Sequence, residues 1–412
     1  MKDAASTYRW VVLALALIAQ TSSSFVLQAP SPLAPLFQAE LGLTKAEVGV
    51  LSASTSVGAW CVVLISGLLV DRFGIRRIMS LGLVATGSLL LSMSLTTSFI
   101  QAIAVMFAAG IARGAVFPSS TKAVLEWFPL RTRATAMGVK QMGLPLSGVA
   151  AASILPVLGL ALGWRTAIAV PGLLIVFVGV ATAILYRDST DSSRMASGGV
   201  GFREALVELL RNRRLLVLCC VGFAFLIVQL PILAYLGLYF NDVVLVSSVP
   251  DGAARLVVAG GYLAVLQMGG ALGRVSWGMV SDRLFGGRRM VVLAIIGGLS
   301  ALVLLVVQGL GQEDPLWWLT TVVFLCGMMA VGWNGVYNAL LTETVGRKYA
   351  ATGVGLSMTV TEVGTIAGPP LFGFVADVSG SYRTAWLFLV VIAVAGALVA
   401  AAAARGERRA RG

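Results

Sequence analysis

The sequence predicts an all-α integral membrane protein, with twelve transmembrane helices in two pseudo-symmetric six-helix bundles. Three observations carry that prediction. The 412 residues are 58% hydrophobic and only 12% charged, with a mean hydropathy of +0.92, whereas soluble domains carry about 25% charged residues. Apolar stretches long enough to cross a bilayer recur from one end of the chain to the other. One polar loop motif also occurs twice, about half a chain apart. The same composition excludes other classes. The chain has no histidine, and Cys61, Cys219, Cys220 and Cys326 sit inside apolar runs without zinc-type spacing. No metal site, disulfide framework or cofactor is expected. No nucleophile–base constellation suggests an enzyme. The net charge of +12 does not point to nucleic acid, because little of the chain is solvated.

A membrane helix needs about 20 mostly apolar residues. Such stretches fall at 10–37, 45–70, 78–97, 99–127, 134–157, 164–186, 215–240, 256–281, 290–308, 316–342, 350–373 and 384–404. Residues 1–10 are too short for a separate leader, and the first apolar run is long enough to span, so no cleaved signal is expected. The longest polar stretch divides the chain into a bundle at 1–186, a linker at 187–214 and a second bundle with a short basic tail at 215–412. Within the linker, 188–201 is rich in Ser, Gly and Asp, and 202–210 has the pattern of a short amphipathic helix. With both termini placed in the cytoplasm, 22 of the 30 Lys and Arg lie on the inner side. Only Lys45, Arg165, Arg255 and Arg383 lie outside. That bias is what the positive-inside rule requires.

The repeated motif closes the second and eighth spans. The first copy runs Gly67-Leu68-Leu69-Val70-Asp71-Arg72-Phe73-Gly74-Ile75-Arg76-Arg77. The second runs Gly278-Met279-Val280-Ser281-Asp282-Arg283, with Gly286, Gly287, Arg288 and Arg289 following. Asp282 stands 211 positions after Asp71. Repeated halves are an architecture of secondary transporters. On the Gly-x-x-x-Asp-Arg-x-Gly-x-Arg-Arg loop, the chain resembles the major facilitator superfamily over essentially its full length. The resemblance implies two six-helix bundles that expose a central site to each side in turn. It implies that Asp71 and Arg72, with Asp282 and Arg283 in the second copy, act as gating residues. It does not name a cargo.

Charges inside the spans are the next signal, because burying one in a membrane helix is costly and marks a functional candidate. Arg113, Lys122, Lys140 and Arg274 are the basic residues inside spans, and Glu362 is the only acid well inside one. The repeat supplies a control. Aligning the halves places Arg274 opposite Val63, Arg113 opposite Ala330, Lys140 opposite Gly355 and Glu362 opposite Ser147. None of these four charges recurs, so scaffold duty explains them poorly. Lys122 is different: with Glu126 it forms an i,i+4 pair suited to a salt bridge at the inner rim.

Arg274 stands eight residues before Asp282. That placement resembles the eighth-span arginine of the monocarboxylate and oxalate branches, which implies a substrate-carboxylate ligand, and a guanidinium fork suits a planar carboxylate. The nitrate/nitrite branch pairs such an arginine with one in the second span, where this chain has Val63. Arg113 and Lys140, in segments similar to the organic-anion branches, are further substrate-binding candidates. Glu362 is either a protonatable carboxyl that couples transport to protons or a counter-ion to Arg113 or Arg274. Polar candidates for the lining are Gln28 in the first span, Gln229 in the seventh, and Asn334, Tyr337 and Asn338 in the tenth, the last three sharing one helical face at i, i+3 and i+4. Gln20, Ser24, Tyr235 and Trp333 accompany them.

These readings converge on a monomeric, multi-pass carrier of a small organic anion, a monocarboxylate first, with proton symport. Its partners are the anion, protons and the bilayer. Short loops without targeting or glycosylation cues suggest a bacterial inner membrane. A drug or cation/proton antiporter of the same fold is the alternative. It finds less support, because Gly138–Gly148 lacks the Gly-Pro-x-x-Gly-Gly pattern of that branch. A receptor or signalling scaffold is not favoured, since the soluble segments are too short for a second domain.

Overall fold

A computed structural model describes residues 2–128, 136, 137, 139–188, 202–345 and 350–409, and every one of its regular elements is helical. Fifteen α-helices follow in order: α1 (Lys2–Gln28), α2 (Pro30–Leu41), α3 (Lys45–Phe73), α4 (Ile75–Met93), α5 (Phe99–Gly114), α6 (Val116–Trp127), α7 (Gly143–Leu185), α8 (Phe202–Arg211), α9 (Arg213–Tyr239), α10 (Gly252–Arg283), α11 (Arg289–Val307), α12 (Leu316–Cys326), α13 (Asn334–Val345), α14 (Ala350–Ser379) and α15 (Tyr382–Arg409). Among the described residues, nine helical segments are long and apolar enough to cross a membrane. Backbone groups bonded within each helix meet the demand that lipid makes of a spanning segment. Helix α8 coincides with the amphipathic stretch expected in the linker. The polar part of that linker, 189–201, lies outside the described residues.

Local chemistry sets the helix ends. The Ser98 side chain accepts from the Gln101 N–H at the start of α5, and Asn212 from Leu215 at the start of α9. The Asp251 carboxylate accepts from Ala253 and Ala254 at the start of α10, as capping residues do. Helix α7 comprises two spans, 143–162 and 164–185, separated by Gly163 at φ 80°, ψ 153°. A side chain would be strained at that φ. Trp164 and Arg165, just past the break, both donate to Glu40 at the end of α2, and Arg165 Nη2 also donates to the Thr96 carbonyl at 3.1 Å.

Three of the predicted spans run through as single long segments, Tyr8–Leu41, Phe99–Trp127 and Leu316–Val345, and carry local irregularities. The first bends at Ala29, before Pro30, Pro32 and Pro35. The fourth has a turn at Ala115, between α5 and α6, with its backbone still in the right-handed helical region (φ −84°, ψ −21°). The tenth passes through a π-helical turn, Gly327–Val331, and a further turn at 332–333 before α13. Matching Phe107 with Phe324, as the repeat suggests, sets Ala115 opposite Gly332. The fourth and tenth spans therefore carry turns at equivalent positions.

The chain divides into two compact units. The first comprises Met1–Leu43 and Leu51–Gly198; its buried apolar contacts include Leu13, Ala16, Val124, Phe128 and Ala136. The second comprises Thr44–Val50 and Gly199–Gly412, around a core that includes Leu218, Phe225, Trp277, Ile296, Trp333 and Leu340. This division departs from the sequence boundaries at Thr44–Val50, the opening of α3. There the Asp377 carboxylate accepts from the N–H of Lys45 at 3.3 Å and of Ala46 at 2.7 Å. The Lys45 ammonium lies 4.3 Å from the centre of the Tyr382 ring. A carboxylate at a helix N-terminus and an aromatic face under an ammonium account for the attachment.

Candidate substrate site

In the second unit, α10 and the tenth span approach closely because both contribute glycines. A Cβ on Gly269 or Gly273 of α10 would strike the carbonyl of Phe324 or Met328, and one on Gly335 of α13 would lie 2.6 Å from the Arg274 carbonyl. Small residues at such contacts are how membrane helices approach one another. Trp277, one turn after Arg274, donates from Nε1 to the Met328 carbonyl at 3.0 Å. Met328 lies inside the π-helical turn, where regular i to i−4 bonding is interrupted. Arg274 is thus carried on a helix braced before and after it by the tenth span.

The Arg274 side chain is half-buried. Its Nε is buried and makes no hydrogen bond, and the residue forms no ion pair among the described residues. A guanidinium left this way retains its full capacity for a bidentate acceptor. Next to Gly335, Asn334 donates from Nδ2 to Gln229 Oε1 at 3.2 Å and to the Val331 carbonyl at 3.2 Å. Trp333 donates from Nε1 to the same Gln229 oxygen at 2.9 Å. Asn334 of α13 thus meets Gln229 of α9, and the next residue, Gly335, lies against the backbone of Arg274 on α10.

The other tenth-span candidates separate. The Tyr337 hydroxyl pairs with Ser357 Oγ at 2.7 Å, and its ring stands edge-on to Trp333 with centroids 5.2 Å apart. Tyr337 is buried, while Asn338 is exposed. A shared helical face does not give these two a shared environment. Glu362 is half-buried on α14, beside buried Thr361, whose methyl would lie 2.7 Å from a Cβ on Gly222 of α9.

In the first unit, Lys140 has no exposed surface. Its ammonium donates to Thr121 Oγ1 at 2.9 Å and lies 3.9 Å from the centre of the Phe117 ring. Phe117 and Thr121 are i and i+4 on α6, so one helical face supplies both partners. Arg113 is half-buried in the last turn of α5, just before the turn at Ala115. Gln28 is buried in the last turn of α1, before the bend at Ala29. Lys122 and Glu126 form the expected i,i+4 pair at 3.9 Å.

The two copies of the loop motif differ in what they hold. In the second, Arg289 bridges Asp282 at 3.1 Å and Glu343 of α13 at 2.8 Å, while Arg283 is exposed. In the first, Gly74 takes φ 86° and Arg76 carries the contacts. The Arg76 N–H meets Asp188 Oδ1 at 3.0 Å and its Nε meets the Ala183 carbonyl at 2.6 Å. Arg72 is exposed, its guanidinium 5.4 Å from the Phe73 ring. The side chain of Asp71 lies outside the described residues.

The described residues form long apolar helices, nine segments of which could cross a membrane, in two compact units. The sequence profile of the Major Facilitator Superfamily matches residues 16–369. The chain belongs to that superfamily. It is 26% identical to the 3-(3-hydroxy-phenyl)propionate transporter of Escherichia coli, over 80% of this chain and 78% of that one. It is 22% identical to the hexuronate transporter of Bacillus subtilis, over 88% and 86%. A solved bacterial homologue of the human lysosomal transporter Spinster, inward-facing and unoccupied, shares the fold with a TM-score of 0.76 at 16% identity, over 97% of both chains.

Proposed function

We propose that this chain carries small organic anions across a bacterial inner membrane by alternating access, with carboxylates as the favoured cargo, monocarboxylates first, and both termini cytoplasmic. The observation that carries this reading is Arg274: a cation within an apolar span whose buried Nε meets no acceptor. A cation half-buried in an apolar span without an acceptor is unfavourable, and an arriving carboxylate relieves that cost by pairing with the guanidinium fork. The relatives add a chemical argument. A hydroxyphenylpropionate and a hexuronate differ in ring, size and polarity and have the carboxylate in common.

Around this centre, Gln229 completes the ligand set on the second unit, with Asn334 bonded to its Oε1. In the first unit Arg113 is a further anion ligand, Lys140 contributes positive potential, and Gln28 lines the path. Glu362 couples flux to protons by alternating between its charged and neutral forms. The motif residues Asp71, Arg72, Asp282 and Arg283 act on the conformational change and not on the cargo.

Uptake into proteoliposomes with an inward proton gradient tests the reading, using lactate, benzoate, 3-phenylpropionate and oxalate against a lipophilic cation. A carboxylate is expected to accumulate, and Arg274→Ala to abolish its uptake while the protein remains folded. Accumulation of the cation alone would overturn the proposal. Glu362→Gln is expected to remove gradient-driven accumulation and to leave carboxylate exchange; full accumulation in that variant would remove Glu362 from coupling.

A further inference from the structure

Gln229 is only 5% exposed, and its amide is oriented by chemistry that allows one choice. The indole N–H of Trp333 can only donate, so the Gln229 atom it meets at 2.9 Å must be Oε1. The second neighbour agrees. Asn334 gives its Nδ2 to the Val331 carbonyl, which can only accept, and the same Nδ2 reaches Gln229 Oε1. The bonded series Trp333, Gln229, Asn334, Val331 is thus pinned by a donor at one end and an acceptor at the other. Trp333 is itself fixed edge-on between Phe225 and Tyr337, with centroids 5.2 Å from each. What remains of the amide is Nε2. It makes no hydrogen bond among the described residues, and it is absent from their fully buried, unsatisfied polar atoms, so it keeps accessible surface.

A glutamine free to rotate offers either a donor or an acceptor to whatever binds beside it. This one offers two N–H donors. Arg274, on the neighbouring helix and packed by its carbonyl against Gly335, also offers donors alone. We infer that Trp333 and Asn334 are positioning residues that lock Gln229 by its Oε1 and leave its Nε2 donors for a ligand, so that the cargo is an acid carrying a second oxygen acceptor: a hydroxyl, oxo or further carboxylate group. Arg274 holds one carboxylate and Gln229 reads the second oxygen. The inference rests on the anion reading of the site.

The test compares matched acids that differ in one oxygen: propionate with lactate, benzoate with 4-hydroxybenzoate, and 3-phenylpropionate with 3-(3-hydroxyphenyl)propionate. Initial uptake by the full chain in proteoliposomes gives KM for each. In the pair that is carried, the oxygenated acid is expected to have a KM at least tenfold lower. Trp333→Phe keeps the ring stack and removes the donor. It is expected to raise the KM of the oxygenated acid at least threefold, while that of its partner moves less than twofold. Trp333→Phe combined with Asn334→Ala is expected to bring the ratio close to one, and Gln229→Leu to do so with both neighbours intact. A purely structural role would shift both acids together. Equal shifts, an unchanged ratio in Gln229→Leu, or a wild type indifferent to the extra oxygen would each overturn the inference. Arg274→Ala distinguishes the two failures. Uptake of none of the six acids, or uptake that survives Arg274→Ala, overturns the anion reading itself.

Discussion

Lys140, in the first unit, has no exposed surface, and its ammonium is met by Thr121 Oγ1 at 2.9 Å and by the Phe117 ring at 3.9 Å. Arg274, in the second, has a buried Nε with no hydrogen bond and no ion pair among the described residues. Both are cations in apolar helices without a counterpart in the other half of the repeat. The ammonium has been accommodated by a hydroxyl and a π face, contacts that offset part of its desolvation within the fold. The guanidinium has been held in position and left unsatisfied. On the proposed reading, the difference separates a charge accommodated within the fold from one available to a ligand. It also shows why a count of buried charges alone overstates a binding site.

The largest effect that can break this contrast is on transport. Arg274→Ala is expected to lower the initial rate of carboxylate uptake at least 100-fold, in keeping with about 2–5 kcal/mol for removing one partner of a buried charge pair. Arg274→Lys should recover only part of it, because a point charge replaces a planar fork. Uptake in Lys140→Met measures how far the accommodated cation differs, and a loss as large as that of Arg274→Ala would erase the contrast. On stability the order reverses. Thr121→Val strips the Lys140 ammonium of the one hydrogen bond it makes among the described residues and is expected to cost about 1–3 kcal/mol, read by thermal unfolding of the protein in nanodiscs. Arg274→Met should instead stabilise the empty protein, by about 1–3 kcal/mol on the same grounds of burying an unsatisfied polar group. The smallest effect concerns the brace. Trp277→Phe leaves the Met328 carbonyl without its indole partner and should cost about 1 kcal/mol, with a raised KM for the carboxylate from a less firmly placed Arg274.

Much of the fold was legible in the chain. Hydropathy and length marked the spans, and the Asp-Arg loop marked the repeat, because the bilayer imposes on each helix a composition that needs no knowledge of its neighbours. The turns at Ala115 and at 332–333 had only faint local signals, Gly114 and Pro118 at the first and Gly332 at the second, because small residues are frequent throughout these spans. The candidate site was legible as charges: Arg274 and Lys140 stand out against hydrocarbon-compatible sequence. Their surroundings were not. Phe117 and Thr121 precede Lys140 by 23 and 19 positions, and only tertiary packing brings them to the ammonium. The i,i+4 spacing on α6 was a usable signal for those two, a ring and a hydroxyl one turn apart, but nothing local tied it to Lys140. The shared face of Asn334, Tyr337 and Asn338 was read correctly as helix geometry, yet their neighbours assign one to Gln229, one to Ser357 and leave one exposed.

Thermal unfolding of the purified chain against rising carboxylate concentration tests the availability of Arg274 most directly, because a ligand that binds only the folded state stabilises it by RT ln(1 + [L]/Kd). The wild type is expected to gain stability steadily with 3-(3-hydroxyphenyl)propionate or lactate. Arg274→Met should start from a higher unfolding temperature and gain nothing. An Arg274→Met protein that begins less stable than the wild type and gains as much from the acid would contradict the account.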